Sequence, residues 1–120
     1  MTLLLKCEEK EQEACLAVLA EHLPKREVRV YPEVGLKEEI EYALVYAPPP
    51  GLLSSLPNLK AIFSRWAGID HMASDPCLPP VPIFRTVDYN MVACMTVHVL
   101  QQVLSLHTYA ETYRRQQFEN

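Results

Sequence analysis

The sequence predicts a doubly wound α/β domain built on a parallel sheet of about five strands. Three observations lead there. Short runs rich in Leu, Val, Ile and aromatics recur along the chain, and their interiors are nearly all apolar, as a sheet covered on both faces requires. The segments between them are long enough for crossovers, which keep successive strands parallel.

Residues 2–7 and 27–31 read as the first two strands. Between them EQEACLAVLAEHLP carries Cys15, Leu16, Leu19 and Leu23 at helical spacing until Pro24 stops the run, completing a β-α-β unit. Residues 42–47, 59–64 and 81–85 supply three more strands, and the connections PPPGLLSSLPN and WAGIDHMASDPCLPP each leave room for a short helix. From Asn90 onward Val92, Met95, Val99, Val103, Leu106, Ala110 and Tyr113 recur three or four residues apart, predicting one long helix. Its first half also carries Met91, Cys94, Val97, Leu100 and Leu104 on flanking faces, more apolar surface than one side of a sheet covers, so a further partner is expected. The second half is polar and ends without a glycine or proline stop, which reads as a chain cut short. The expected division is a sheet domain over residues 1–90 and an interdomain or dimerisation helix over 91–120.

A chain of 120 residues is one domain's length and buries roughly two thirds of the surface its unfolded form exposes. The net charge of -4 offers no basic field for nucleic acid or a membrane surface. Cys7, Cys15, Cys77 and Cys94 show no C-x-x-C spacing, and neither a signal-peptide start nor a membrane-length apolar run is present, so reduced thiols in a cytoplasmic protein are expected. His22, His71, His98 and His107 fall into no ligand spacing with those cysteines, so no metal is expected.

Glycines exclude more than they suggest. Gly35, Gly51 and Gly68 stand too far apart for a dinucleotide fingerprint, a phosphate loop or a nucleophile elbow. Open parallel sheets bind ligands outside the carboxyl ends of their strands. There, Ala47-Pro48 replaces the aspartate of a phosphoacceptor receiver, and Glu8-Glu9-Lys10 replaces the hydroxyl-rich phosphate loop of a flavodoxin.

The turn Arg65-Trp66-Ala67-Gly68 remains. With a helix starting there, the N–H groups of Ala67 and Gly68 would lack intrahelical partners and could hold a carboxylate or phosphate, and Arg65 could add a charge-assisted bond. The alternative is a strand-to-helix turn that needs Gly68 for its backbone angles, with Arg65 solvated. Trp66 is either a packed aromatic or a pocket wall, and Tyr46 is chiefly packing. Asp70 and His71 diverge by about 100° as helix neighbours and make a poor acid–base pair.

YALVYAPPPGLL, LPNLKAIFSRWAGIDHM, VPIFRTVDYNM and MTVHVLQQVLSLHTYAETYRRQQ together resemble the amino-terminal part of the D-isomer-specific 2-hydroxyacid dehydrogenases, closest to the glyoxylate/hydroxypyruvate reductase A branch. The resemblance covers residues 42–120. It implies a flavodoxin-like substrate domain whose long helix leads into a separate nicotinamide-binding Rossmann domain, and reduction of 2-oxo acids such as glyoxylate or hydroxypyruvate with NADPH or NADH. It also implies that Ala67 and Gly68 give N–H groups to the substrate carboxylate, that Arg65, Trp66 and Tyr46 border the same site, and that Met95 and Thr96 pass near the nicotinamide. The family's fingerprint and its catalytic arginine, glutamate and histidine match nothing in these residues, so no catalytic residue is assigned. Trp66 stands where relatives carry glycine, and Val97 where a glutamate commonly follows the Thr96 position.

The resulting expectation is the substrate-binding portion of such an enzyme, inactive alone, which holds a small 2-oxo acid in the complete enzyme and pairs as a homodimer through the helix after Asn90. The alternative is a non-catalytic α/β interaction module that keeps the fold.

Overall fold

The structure, a computed structural model, describes residues 1–119. They form two compact units, Met1–Thr86 and the segment from Val87 onward. The first unit holds a five-stranded sheet of β1 (Thr2–Lys6), β2 (Glu27–Val30), β3 (Ile40–Val45), β4 (Ala61–Ser64) and β5 (Ile83–Arg85). Every neighbouring pair is parallel, in the order β2-β1-β3-β4-β5. This is the doubly wound, flavodoxin-like α/β fold the sequence predicts.

The crossovers explain where the core sits. Right-handed connections place the helix of the β1-to-β2 crossover on one face and those of the later crossovers on the other, because the strand order reverses after β1. Helix α1 (Glu9–His22) makes the first crossover. Among the described residues the later ones carry two 3-10 turns, Lys37–Glu39 and Leu53–Ser55, and the four-residue helix α2 (Asp70–Ala73). On their face Leu4, Ala43 and Ile62 lie in one register row and pack with Ile40, Val45, Leu53, Leu56, Leu59 and Met72.

On α1's face the corresponding row is Leu5, Leu44, Phe63 and Phe84. Exposure climbs along it, from 0% at Leu5 to 37% at Phe63 and 53% at Phe84. Phe63 and Phe84 stack on each other with ring centroids 5.1 Å apart. One helix therefore covers the β1 side of this face and leaves the β5 side open.

In the second unit, Asp88 caps α3 (Tyr89–His107), its carboxylate accepting from the N–H groups of Asn90 at 2.9 Å and Met91 at 3.2 Å. The single long helix expected from Asn90 is instead divided. Thr108 closes α3, its N–H and its hydroxyl both donating to the Leu104 carbonyl, and Tyr109 takes a positive φ of 54° before α4 (Ala110–Glu119) begins. The break falls at a β-branched and an aromatic residue of modest helix propensity, where the apolar stripe gives way to polar sequence. No helix among the described residues is long and apolar enough to cross a membrane.

Candidate functional site at the end of the fourth strand

Ser64, the buried last residue of β4, shapes the turn that follows. Its hydroxyl accepts from the Trp66 N–H at 3.2 Å and donates to the Trp66 carbonyl at 2.8 Å. The Thr86 hydroxyl, just past β5, reaches the carbonyls of Ser64 at 3.2 Å and Arg65 at 3.1 Å. With the backbone of Arg65 and Trp66 thus fixed, the next two N–H groups, those of Ala67 and Gly68, meet no acceptor among the described residues. Ala67 is half-buried and Gly68 exposed, so both donors are within reach of a ligand.

Gly68 does not serve the backbone here. Its φ is not positive, and a Cβ built on it would meet only the Asp70 carboxylate at 3.7 Å, an ordinary contact. The turn needing glycine for its angles is therefore not what forms. The helix start is also displaced from where the sequence suggests it: α2 begins at Asp70 with Ile69 as N-cap, two residues beyond Gly68, and lasts one turn. Asp75-Pro76 and Pro79-Pro80 follow at once, and residues before proline leave the helical region. The two donors are free because the chain turns, and the helix dipole adds little to them.

Trp66 and Tyr46 come together. The indole, 53% exposed, stacks on the phenol ring at 4.9 Å with 19° between planes. His71, unassigned by the sequence reading, meets the same phenol edge-on at 5.7 Å, and its buried Nε2 has no hydrogen-bond partner among the described residues. No periodicity signals that contact. It arises because α2 turns back toward the end of β3.

Arg65 goes elsewhere. Its Nη1 donates to Glu11 Oε2 of α1 at 2.6 Å, and that bond raises the guanidinium's already high pKa. Arg65 thus ties the turn to α1. Asp75, also missed, accepts from the N–H groups of Gly51 and Cys77, each at 2.9 Å, and so joins the proline-rich loop after β3 to the exit of α2. These two bonds hold its carboxyl below the ordinary range. Met95 and Thr96 lie on α3 in the second unit, exposed, and the Thr96 hydroxyl donates to the Val92 carbonyl at 2.8 Å. No cluster of metal-ligating side chains occurs among the described residues.

No family model matches the chain. Solved structures do. A D-isomer-specific 2-hydroxyacid dehydrogenase from Xanthobacter autotrophicus Py2, in complex with NADPH and MES, is 32% identical at a TM-score of 0.79 over 98% of this chain and 39% of its own. The chain is thus similar to part of a D-isomer-specific 2-hydroxyacid dehydrogenase. A probable 2-hydroxyacid dehydrogenase from Rhizobium etli CFN 42, with NADP, HEPES and L(+)-tartaric acid, matches at 30% identity and a TM-score of 0.75 over 96% of this chain and 38% of its own. An NADPH-dependent glyoxylate/hydroxypyruvate reductase from Sinorhizobium meliloti, with NADP and sulfate, matches at 33% identity and a TM-score of 0.71, covering 94% of this chain and 37% of its own. The chain therefore spans well under half the length of these dehydrogenases.

Proposed function

We propose that this chain is the amino-terminal, carboxylate-holding portion of an NAD(P)-dependent 2-hydroxyacid dehydrogenase of the glyoxylate/hydroxypyruvate reductase kind, and that it does not catalyse alone. One observation carries the reading: the adjacent N–H groups of half-buried Ala67 and exposed Gly68 meet no acceptor among the described residues, at the carboxyl end of a parallel strand beside a stacked Tyr46–Trp66 pair. Paired backbone donors suit the two oxygens of a carboxylate, and the aromatic pair suits the wall of a pocket for a small 2-oxo acid. Arg65 supports the turn through its bond to Glu11. The 2-oxo acid portion is the share of the chemistry these residues can take: they bind and orient the acid.

The residues of this chain do not by themselves fit a nicotinamide dinucleotide. Its three glycines lie in separate loops of the first unit, and the Thr96 hydroxyl is already spent on its own helix. In the complete enzyme NADPH or NADH, bound by residues beyond these, would supply the hydride, with Met95 and Thr96 alongside. The exposed apolar face of α3, including Met95, Val99 and Val103, suits a homodimer contact, and a cytoplasmic setting suits the free thiols.

Trp66 is the chain's sole tryptophan, so the site carries its own probe. Titration with glyoxylate or oxamate is expected to change its fluorescence and to shift the amide resonances of Ala67 and Gly68, with no NADPH oxidation. Shifts confined to other amides would overturn the carboxylate site. Appreciable NADPH affinity would overturn the assignment of the cofactor to other residues.

A further inference from the structure

The Trp66–Tyr46 stack bears on what a bound acid carries beyond its carboxylate, given the carboxylate site proposed above. The indole lies flat on the phenol, with centroids 4.9 Å apart and 19° between planes, and His71 backs the phenol edge-on at 5.7 Å. Stacking occupies one indole face. With Trp66 53% exposed, the other face is left to solvent. The Ser64 hydroxyl bonds the Trp66 N–H at 3.2 Å and its carbonyl at 2.8 Å, which fixes the backbone that carries the indole. Ala67 and Gly68 are the next two residues, and consecutive Cα atoms lie about 3.8 Å apart, so the open ring face and the paired donors are neighbours. Two cations close to the stack are engaged. Arg65 is bonded to Glu11 at 2.6 Å, and Lys6 Nζ donates to the Tyr46 carbonyl at 3.3 Å, so neither is offered to a second acidic group on the ligand.

We propose that the open face of Trp66 is a side-chain subsite, and that it makes the site prefer 2-oxo and 2-hydroxy acids bearing an aryl group, with the carboxylate on Ala67 and Gly68 and the ring stacked on the indole. The reach fits. In 3-phenyllactate the ring centre lies about 5 Å from the carboxylate carbon, by ordinary carbon–carbon bond lengths, whereas glyoxylate carries nothing beyond its aldehyde to cover the indole. A planar ring laid on that face extends the existing pair to a stack of three. Offset aromatic pairs gain more than the area they bury, and an indole already held against Tyr46 has little rotamer freedom left to lose on binding. Trp66 is thus the specificity-determining residue, and Tyr46 positions it.

The test titrates the isotope-labelled whole chain with the D isomers of lactate, 3-phenyllactate and malate, following by NMR the amides of Ala67 and Gly68 and the indole N–H of Trp66. Expected is binding of 3-phenyllactate at least about tenfold tighter than that of lactate, with the two amides and the indole moving together. Trp66→Leu should bring those two acids within about threefold of each other, and Trp66→Phe, which keeps a ring, should restore most of the preference. Equal affinities for lactate and 3-phenyllactate, with shifts at Ala67 and Gly68, would overturn the aryl subsite and leave the carboxylate site standing. Movement of the indole while both amides stay still would overturn the two together. A preference that survives Trp66→Leu would remove Trp66 from the role. Tighter binding of malate, whose second carboxylate the exposed Arg85 at the end of β5 could receive, would overturn the aryl preference in favour of a diacid.

Discussion

Gly35 and Gly68 both sit in turns, for opposite reasons. Gly35 has a φ of 62°, and a Cβ there would come within 3.0 Å of Arg29 Nη1. Arg29 bonds the carbonyls of Val34 at 3.2 Å and Leu36 at 3.0 Å and pairs with Glu27 and Glu39, so it cannot give way cheaply. Gly35→Ala is expected to cost about 1–2 kcal/mol in urea denaturation. Gly68→Ala, with neither constraint, should stay within about 0.5 kcal/mol of the parent. If the carboxylate rests on the Gly68 N–H, Gly68→Val should weaken the glyoxylate response at least about tenfold, the ~1.4 kcal/mol of one compromised contact. Asp75 sets an acid limit. Its folded carboxyl is held below the unfolded value, so the stability it lends is complete above the ordinary carboxylate range and lost as pH falls through the folded value. Asp75→Asn should therefore show a flatter loss of melting temperature between neutral and acid pH than the parent.

At the scale of elements, the legible signals were the local ones. The spacing of Cys15, Leu16, Leu19 and Leu23 located α1, and the apolar runs located all five strands, although β5 is shorter than its run and begins at Ile83. Asp88 is a helix cap of the usual chemistry, and Asp88→Ala is expected to cost α3 about 1 kcal/mol, read as helicity lost by circular dichroism. The break between α3 and α4 was not legible, because Tyr109 adopts its positive φ without the glycine or asparagine that advertises one. Nor was the brevity of α2, where the prolines that follow outweigh the helical promise of DHMA. The candidate turn was legible as a location, through the rule about strand ends. The contacts that decide what each residue does there join positions far apart in the chain, as with Arg65 and Glu11 or Asp75 and Gly51.

Across the whole molecule, one face of the sheet is better covered than the other. The apolar strand interiors implied cover on both faces, and the first unit supplies it fully only on the face holding Leu53 and Met72. An apolar groove lined by Leu19, Leu23, Leu44 and Phe63 runs between α1 and the open side. Phe84→Ser should reduce binding of a hydrophobic dye and self-association on raising salt, while lowering stability by no more than about 1 kcal/mol, since half of that ring is already in water.

The graded row from Leu5 to Phe84 also bears on which substitutions the chain tolerates. In a saturation library selected for soluble expression, Leu5 should accept only apolar residues of similar volume, since any polar atom there would be fully desolvated. Phe63 should accept amphipathic side chains whose tips reach water. Position 84 should become enriched in lysine and glutamate, turning the edge of the sheet from a sticky surface into a charged one.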